Sequence, residues 1–155
     1  MTPRRWDIAI KWRLFRSLLS NDDDDAFRVY RWHLERRKAA NARIGVGMDG
    51  KSGTDQYIAD CGKLLLSMGA YGFRPAHAVP IDPDGELLGG AHRVACALAL
   101  GIEQIPIAQH KNRAWAPPWG EAWFAENRCP TEDLNRIRQD FLALHDSHLL
   151  RSRSP

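Results

Sequence analysis

Cysteine is scarce and odd in number: Cys61, Cys96 and Cys129 are the only three in 155 residues. A set so widely spaced excludes a disulfide framework, and without a C-x-x-C pair it gives no zinc pattern; reduced thiols in a cytoplasm are expected. Long apolar runs are missing. No stretch reaches the about 18 apolar residues that a membrane helix needs. No apolar segment follows Arg4 and Arg5, so no signal peptide is expected. Neither sign of charge dominates: 22 Lys and Arg against 19 Asp and Glu leave +3 at pH 7. That excess is too small to imply nucleic acid by itself. No internal repeat interrupts the chain, whose length suits one domain with a sizeable core.

What is present centres on residues 86–101, Glu-Leu-Leu-Gly-Gly-Ala-His-Arg-Val-Ala-Cys-Ala-Leu-Ala-Leu-Gly. A short apolar run ends in Gly89-Gly90, and good helix formers follow from Ala91 to Leu100, with Gly101 as a C-terminal stop. Two glycines at such a corner permit positive φ and a close approach of backbone to ligand. The free N–H groups of a first helical turn, its positive dipole end, His92 and Arg93 together suit an anion such as phosphate. Gly-Gly as a plain tight turn, with Arg93 on a surface carboxylate, is the competing reading.

The flanking chain supplies helices. Residues 6–20 alternate like a strand, but Ile8, Trp12, Phe15 and Leu19 fit one helical face, with Asp7 as N-cap. The run 22–25 of four aspartates suits a solvated turn before a helix start more than a metal site. A basic helix is expected over 25–40, with Phe27, Tyr30, Leu34 and Arg37 in one stripe and Arg28, Arg31, Arg36 and Lys38 beside it. Such a helix meets nucleic acid, a nucleotide or an acidic partner or, more commonly, forms a solvated face with Glu35 paired. Residues 45–52 satisfy G-x-x-x-x-G-K-[ST], yet no buried strand precedes them, so Lys51 belongs to a Gly-rich loop and a chance match. Tyr57, Ile58, Cys61, Leu64, Leu65 and Met68 make 54–69 the clearest amphipathic helix, capped by Ser52 or Thr54. Strands are expected at 78–81, 86–88 and 104–108, with a turn at 82–85. Trp115, Trp119 and Trp123 recur every four residues and pack a tail onto the core, or stack bases. A last helix from Thr131 carries Leu134, Ile137, Phe141, Leu144 and His145 on its buried side.

The ordered string Pro80-Ile-Asp-Pro-Asp-Gly-Glu-Leu-Leu-Gly-Gly-Ala-His-Arg93, then Ala95–Gly101 and Ile105-Pro106-Ile107, resembles the core of the ParB/sulfiredoxin superfamily over about residues 54–109. The resemblance implies an α/β (α+β) fold, a small mixed sheet with flanking helices, extended by N-terminal (1–44) and Trp-rich C-terminal (110–150) helical segments. It implies a nucleotide, ATP or CTP, with phosphates at Gly89, Gly90, Ala91, His92 and Arg93, and Mg²⁺ where turnover occurs. By offset, Lys63 and Ser67 fall on nucleotide-binding positions, and Asp60 replaces the superfamily lysine. His92 is a catalytic candidate. Glu35, with His33, loosely matches the His-Glu pair of the superfamily's serine kinases and is a candidate base. The implied activity is phosphotransfer to a small-molecule acceptor, or nucleotide hydrolysis. A DNA- or protein-binding module and a ParB-like nuclease are the alternatives. Ala91 stands where sulfiredoxins carry their nucleophilic cysteine, so sulfiredoxin chemistry is not expected, and no helix-turn-helix follows to read specific DNA.

Overall fold

The computed structural model describes residues 5–43, 53–113 and 119–151. Among these residues six helices and two strands follow in order: α1 (Asp7–Ser20), α2 (Asp24–Arg43), α3 (Thr54–Tyr71), β1 (Val79–Ile81), α4 (Ala91–Ala99), β2 (Ile107–Gln109), α5 (Glu121–Glu126) and α6 (Thr131–Arg151). A short 3₁₀ turn, Pro75–His77, leads into β1. The fold is helix-dominated α+β. Among the described residues no helix is long and apolar enough to cross a membrane.

α1 is the centre. Asp7, Ile8, Ala9, Ile10 and Lys11 are buried in immediate succession, then Leu14, Phe15 and Ser17. A surface helix buries one stripe; a helix buried on every side is wrapped by others. α4, α2, α6 and α3 all pack on α1. Helical burial thus wins over the alternating pattern of 6–14. Trp6, rather than Asp7, takes the N-cap position, and Asn21 closes the helix in the left-handed region at φ 56°, its N–H bonded to Ser17 O at 2.7 Å.

The aspartate run divides its work. Asp23 Oδ1 accepts the Ala26 N–H at 3.1 Å and caps α2, and its backbone carbonyl accepts the Ser17 hydroxyl at 2.9 Å. Asp25 pairs with Arg28 and Arg136. Among the described residues no cluster of three metal-ligating side chains exists. In α3 the N-cap is Gly53, without a side-chain bond, instead of Thr54; the helix runs through Gly69 and stops at Gly72, φ 66°.

β1 and β2 lie parallel, Val79 opposite Ile107, Pro80 opposite Ala108 and Ile81 opposite Gln109, joined through α4. The expected strand at 86–88 is reduced to one antiparallel bridge between Ile81 and Leu87, and the expected 104–108 strand is moved to Ile107–Gln109. Pro80 and Pro106 lack the N–H that a longer ladder requires. Asp82 organises the turn between: its Oδ1 accepts the N–H groups of Asp84 at 2.9 Å and Glu86 at 2.8 Å.

The core joins Ile8, Leu14 and Phe15 of α1, Tyr30 and Leu34 of α2, Cys96 of α4, Phe124 of α5 and Ile137 and Phe141 of α6. The segments flanking 54–109 therefore supply much of the buried interior. Trp6 stacks on Phe124 and Phe141, and Trp123 lies edge-on to Phe124 at 5.0 Å. Trp119 and Trp123 both pack against this core, whereas Trp115 and residues 45–52, with Lys51, lie outside the described residues.

Candidate functional site

A cavity of about 470 Å³ opens where α4 begins. Gly90 precedes α4 in the left-handed conformation, φ 76° and ψ 16°, which favours glycine. Gly89, Gly90, Ala91 and His92 border the cavity, so the start of α4, whose first-turn N–H groups have no intrahelical partner, adjoins it.

α1 brings Lys11 to the same wall. Lys11 is 1 % exposed. Its ammonium is bonded to Asp7 Oδ2, one helical turn earlier, and Arg5 grips that carboxylate as a fork, Nε to Oδ1 at 2.8 Å and Nη2 to Oδ2 at 3.0 Å. The two cations outweigh burial and hold the Asp7 carboxyl far below the usual carboxylate range. Desolvation pulls the Lys11 ammonium below its ordinary value, and Asp7 opposes that shift. Arg5 also donates to Leu87 O at 3.3 Å, tying the chain's start to the approach of α4.

α2 contributes Arg37, and Trp119 closes the side. The indole is ringed by cations, with Arg37 Cζ at 5.3 Å, Arg5 Cζ at 5.5 Å and Lys11 Nζ at 5.8 Å from its centroid. A backbone bond from Trp6 N–H to Trp119 O at 3.0 Å fixes it there. The α3 face presents Tyr57, Asp60, Cys61 and Leu64 at helical spacing.

His92 is neutral. Its Nε2 is 2.8 Å from Tyr30 Oη, which is itself 3.8 Å from Cys61 Sγ. Burial, then Lys11 and Arg37, push the imidazole well below its ordinary value, while burial raises the Tyr30 phenol. A neutral ring can donate one hydrogen bond and accept another; it adds no charge to the site.

Of the residues singled out in the sequence, Gly89, Gly90, Ala91 and His92 are brought together. Arg93 turns away: its guanidinium donates to His77 O and, at 3.2 Å, to Ala78 O, bracing α4 against the entry to β1. Lys63 and Ser67 are exposed and do not line the cavity; Lys63 reaches back to Asp60 at 3.6 Å. Glu35 is exposed outside it, while its neighbour His33 is fully buried among Trp119, Trp123 and Phe124. The basic face of α2 is met by acids: Arg28 grips Asp133 with two bonds of 2.7 Å, and Arg31 pairs with Asp55. Cys96 lies behind the site, its thiol pushed up to about 12 by burial and by Cys61.

Sequence reasoning missed Arg5, Lys11 and Tyr30 as site residues. A signal existed for Lys11: Asp7 and Lys11 stand i, i+4 within an otherwise apolar stretch, which buries both. Arg37 continues the Tyr30–Leu34 stripe, and a cation on an apolar stripe faces inward. No family model, no curated protein and no solved structure matches this chain.

Proposed function

We propose that the cavity binds the phosphate of a nucleotide, ATP or CTP by the ParB/sulfiredoxin resemblance, at the start of α4. The carrying observation is that Lys11, Arg37 and the left-handed Gly90 line one cavity. Helix N–H groups and these two cations would take the phosphate oxygens through charge-assisted bonds. The order β1, Asp-Gly turn, glycine pair, α4 and parallel β2 supports that superfamily's architecture as the framework.

Phosphotransfer or hydrolysis would rest on the same groups, since it asks mainly for positioning and charge neutralisation. His92 would hold or pass a proton at its ring, in line with Tyr30. Glu35 has no place at the cavity, so a base for an acceptor would have to come from elsewhere. Mg²⁺ would arrive on the phosphates, held by them and by water, with Asp60 the carboxylate on the wall. Sequence-specific DNA binding lies outside this reading, since the net charge is only +3.

Isothermal titration of ATP and CTP tests it. Arg37→Ala should weaken binding by roughly ten- to a hundred-fold, the worth of one charge-assisted contact. Lys63→Ala and Ser67→Ala should bind as the parent does. Unchanged affinity in Arg37→Ala, with loss in Lys63→Ala, would move the nucleotide to the outer face of α3.

A further inference from the structure

We propose that this cavity is matched in charge to a dianion, so that its ligand class is a phosphomonoester, and that a nucleoside triphosphate enters only as its magnesium chelate. The inference rests on the phosphate function above and narrows it. Among the described residues three cations border the cavity: Arg5, Lys11 and Arg37. One positive charge of the Arg5–Lys11 pair is consumed by Asp7, which both of them grip. Asp60 has Lys63 beside it at 3.6 Å and so removes little from the rest. With Lys63 counted against Asp60, the group around the cavity keeps a net two positive charges.

That surplus is poorly screened. Lys11 and Asp7 are almost wholly withdrawn from water, and Leu64, Leu87 and Leu88 make apolar wall. Uncompensated charge in such surroundings is costly in either sign, so the best occupant brings the sum near zero. A phosphomonoester near neutral pH carries close to two negative charges and three acceptor oxygens. A metal-free triphosphate brings more negative charge than the wall can balance, and Mg²⁺ on its phosphates restores a dianion. His92 adds little to the sum, since burial, then Lys11 and Arg37, hold its imidazole well below its ordinary value.

The test uses ligands that differ in charge and little else. AMP and CMP are titrated calorimetrically into the full chain beside their 3′,5′-cyclic diesters, which have one charge fewer, and beside ATP with Mg²⁺ and with EDTA. The monophosphates should bind roughly ten- to a hundred-fold tighter than the cyclic forms. ATP should bind with Mg²⁺ and lose most of its affinity in EDTA. Lowering the pH through about 6 should weaken AMP as its phosphate takes up a proton. Arg37→Gln removes one charge and should narrow the preference for monoester over diester. Equal binding of AMP and cyclic AMP, or metal-free ATP tighter than AMP, overturns the charge match while leaving phosphate binding intact. Failure of every nucleotide and of inorganic phosphate to bind removes both.

Discussion

His33 is the residue whose surroundings disagree most with its chemistry. Its ring stacks on Phe124 at 5.8 Å and meets Trp123 and Trp119 edge-on, and neither ring nitrogen has a hydrogen-bond partner among the described residues. Desolvation, helped by Lys11, Arg37 and Arg5 and opposed by Asp7, lowers its pKa from 6.5 to about 3. Between those values the unfolded chain binds a proton that the folded chain refuses. Stability should therefore fall as pH drops from 6.5 toward 3, by about 1.4 kcal/mol per unit at the steepest. His92 acts in the same direction, whereas Asp7 stabilises above its unfolded value of 3.8 and loses that contribution only below it. Urea denaturation of the parent and of His33→Phe across this range measures the effect: the variant should show the shallower fall. Parallel curves would mean that His33 is not the group that titrates.

At the level of elements, α4 works because Gly90 and Arg93 fit each other. A Cβ on Gly90 would lie 2.9 Å from Arg93 Nη2, and its φ of 76° is strained for any L side chain. Gly90→Ala should thus cost about 1–2 kcal/mol in stability. It should also loosen the hold on the His77 and Ala78 carbonyls and weaken nucleotide binding. Arg93→Ala should cost stability while leaving the cavity's cations in place, so melting temperature and ligand affinity separate the two. Equal affinity losses in both variants would return Arg93 to the ligand. The helix start itself was legible in the sequence, since Gly-Gly before a run of helix formers has few other uses. The direction of Arg93 was not. It depends on where the carbonyls of the 3₁₀ turn arrive, which is a tertiary matter. Lys63 and Ser67 stand on a polar strip that helical periodicity identifies, but periodicity cannot say whether such a strip borders a cavity or faces outward.

In the whole molecule the helices were readable and the hub was not. Amphipathic spacing located α3 and α6 because each buries one stripe. The face of Ile8, Trp12, Phe15 and Leu19 was enough to identify α1 as a helix. But α1 buries nearly everything from Trp6 to Lys11 while Leu19 is exposed, so one stripe could not show that other helices wrap it. The sheet was overestimated because apolar runs were read as strands although Pro80 and Pro106, which lack ladder donors, stand within them. Leu14, fully buried at this hub, should be the costliest aliphatic to truncate: Leu14→Ala is expected to lose about 2–5 kcal/mol, against little for exposed Leu66→Ala. Comparable losses in thermal melts would show that α1 is not the centre of cooperative unfolding. The hub also precedes its partners in the order of synthesis. Its partners α4 and α6 are translated much later, and at about 5–20 residues per second α1 must wait on the order of ten seconds for them. Through that interval Ile8, Leu14 and Phe15 have α2 and α3 beside them but not yet α4 and α6, so the nascent chain is most exposed to chaperones and to self-association until α6 has emerged.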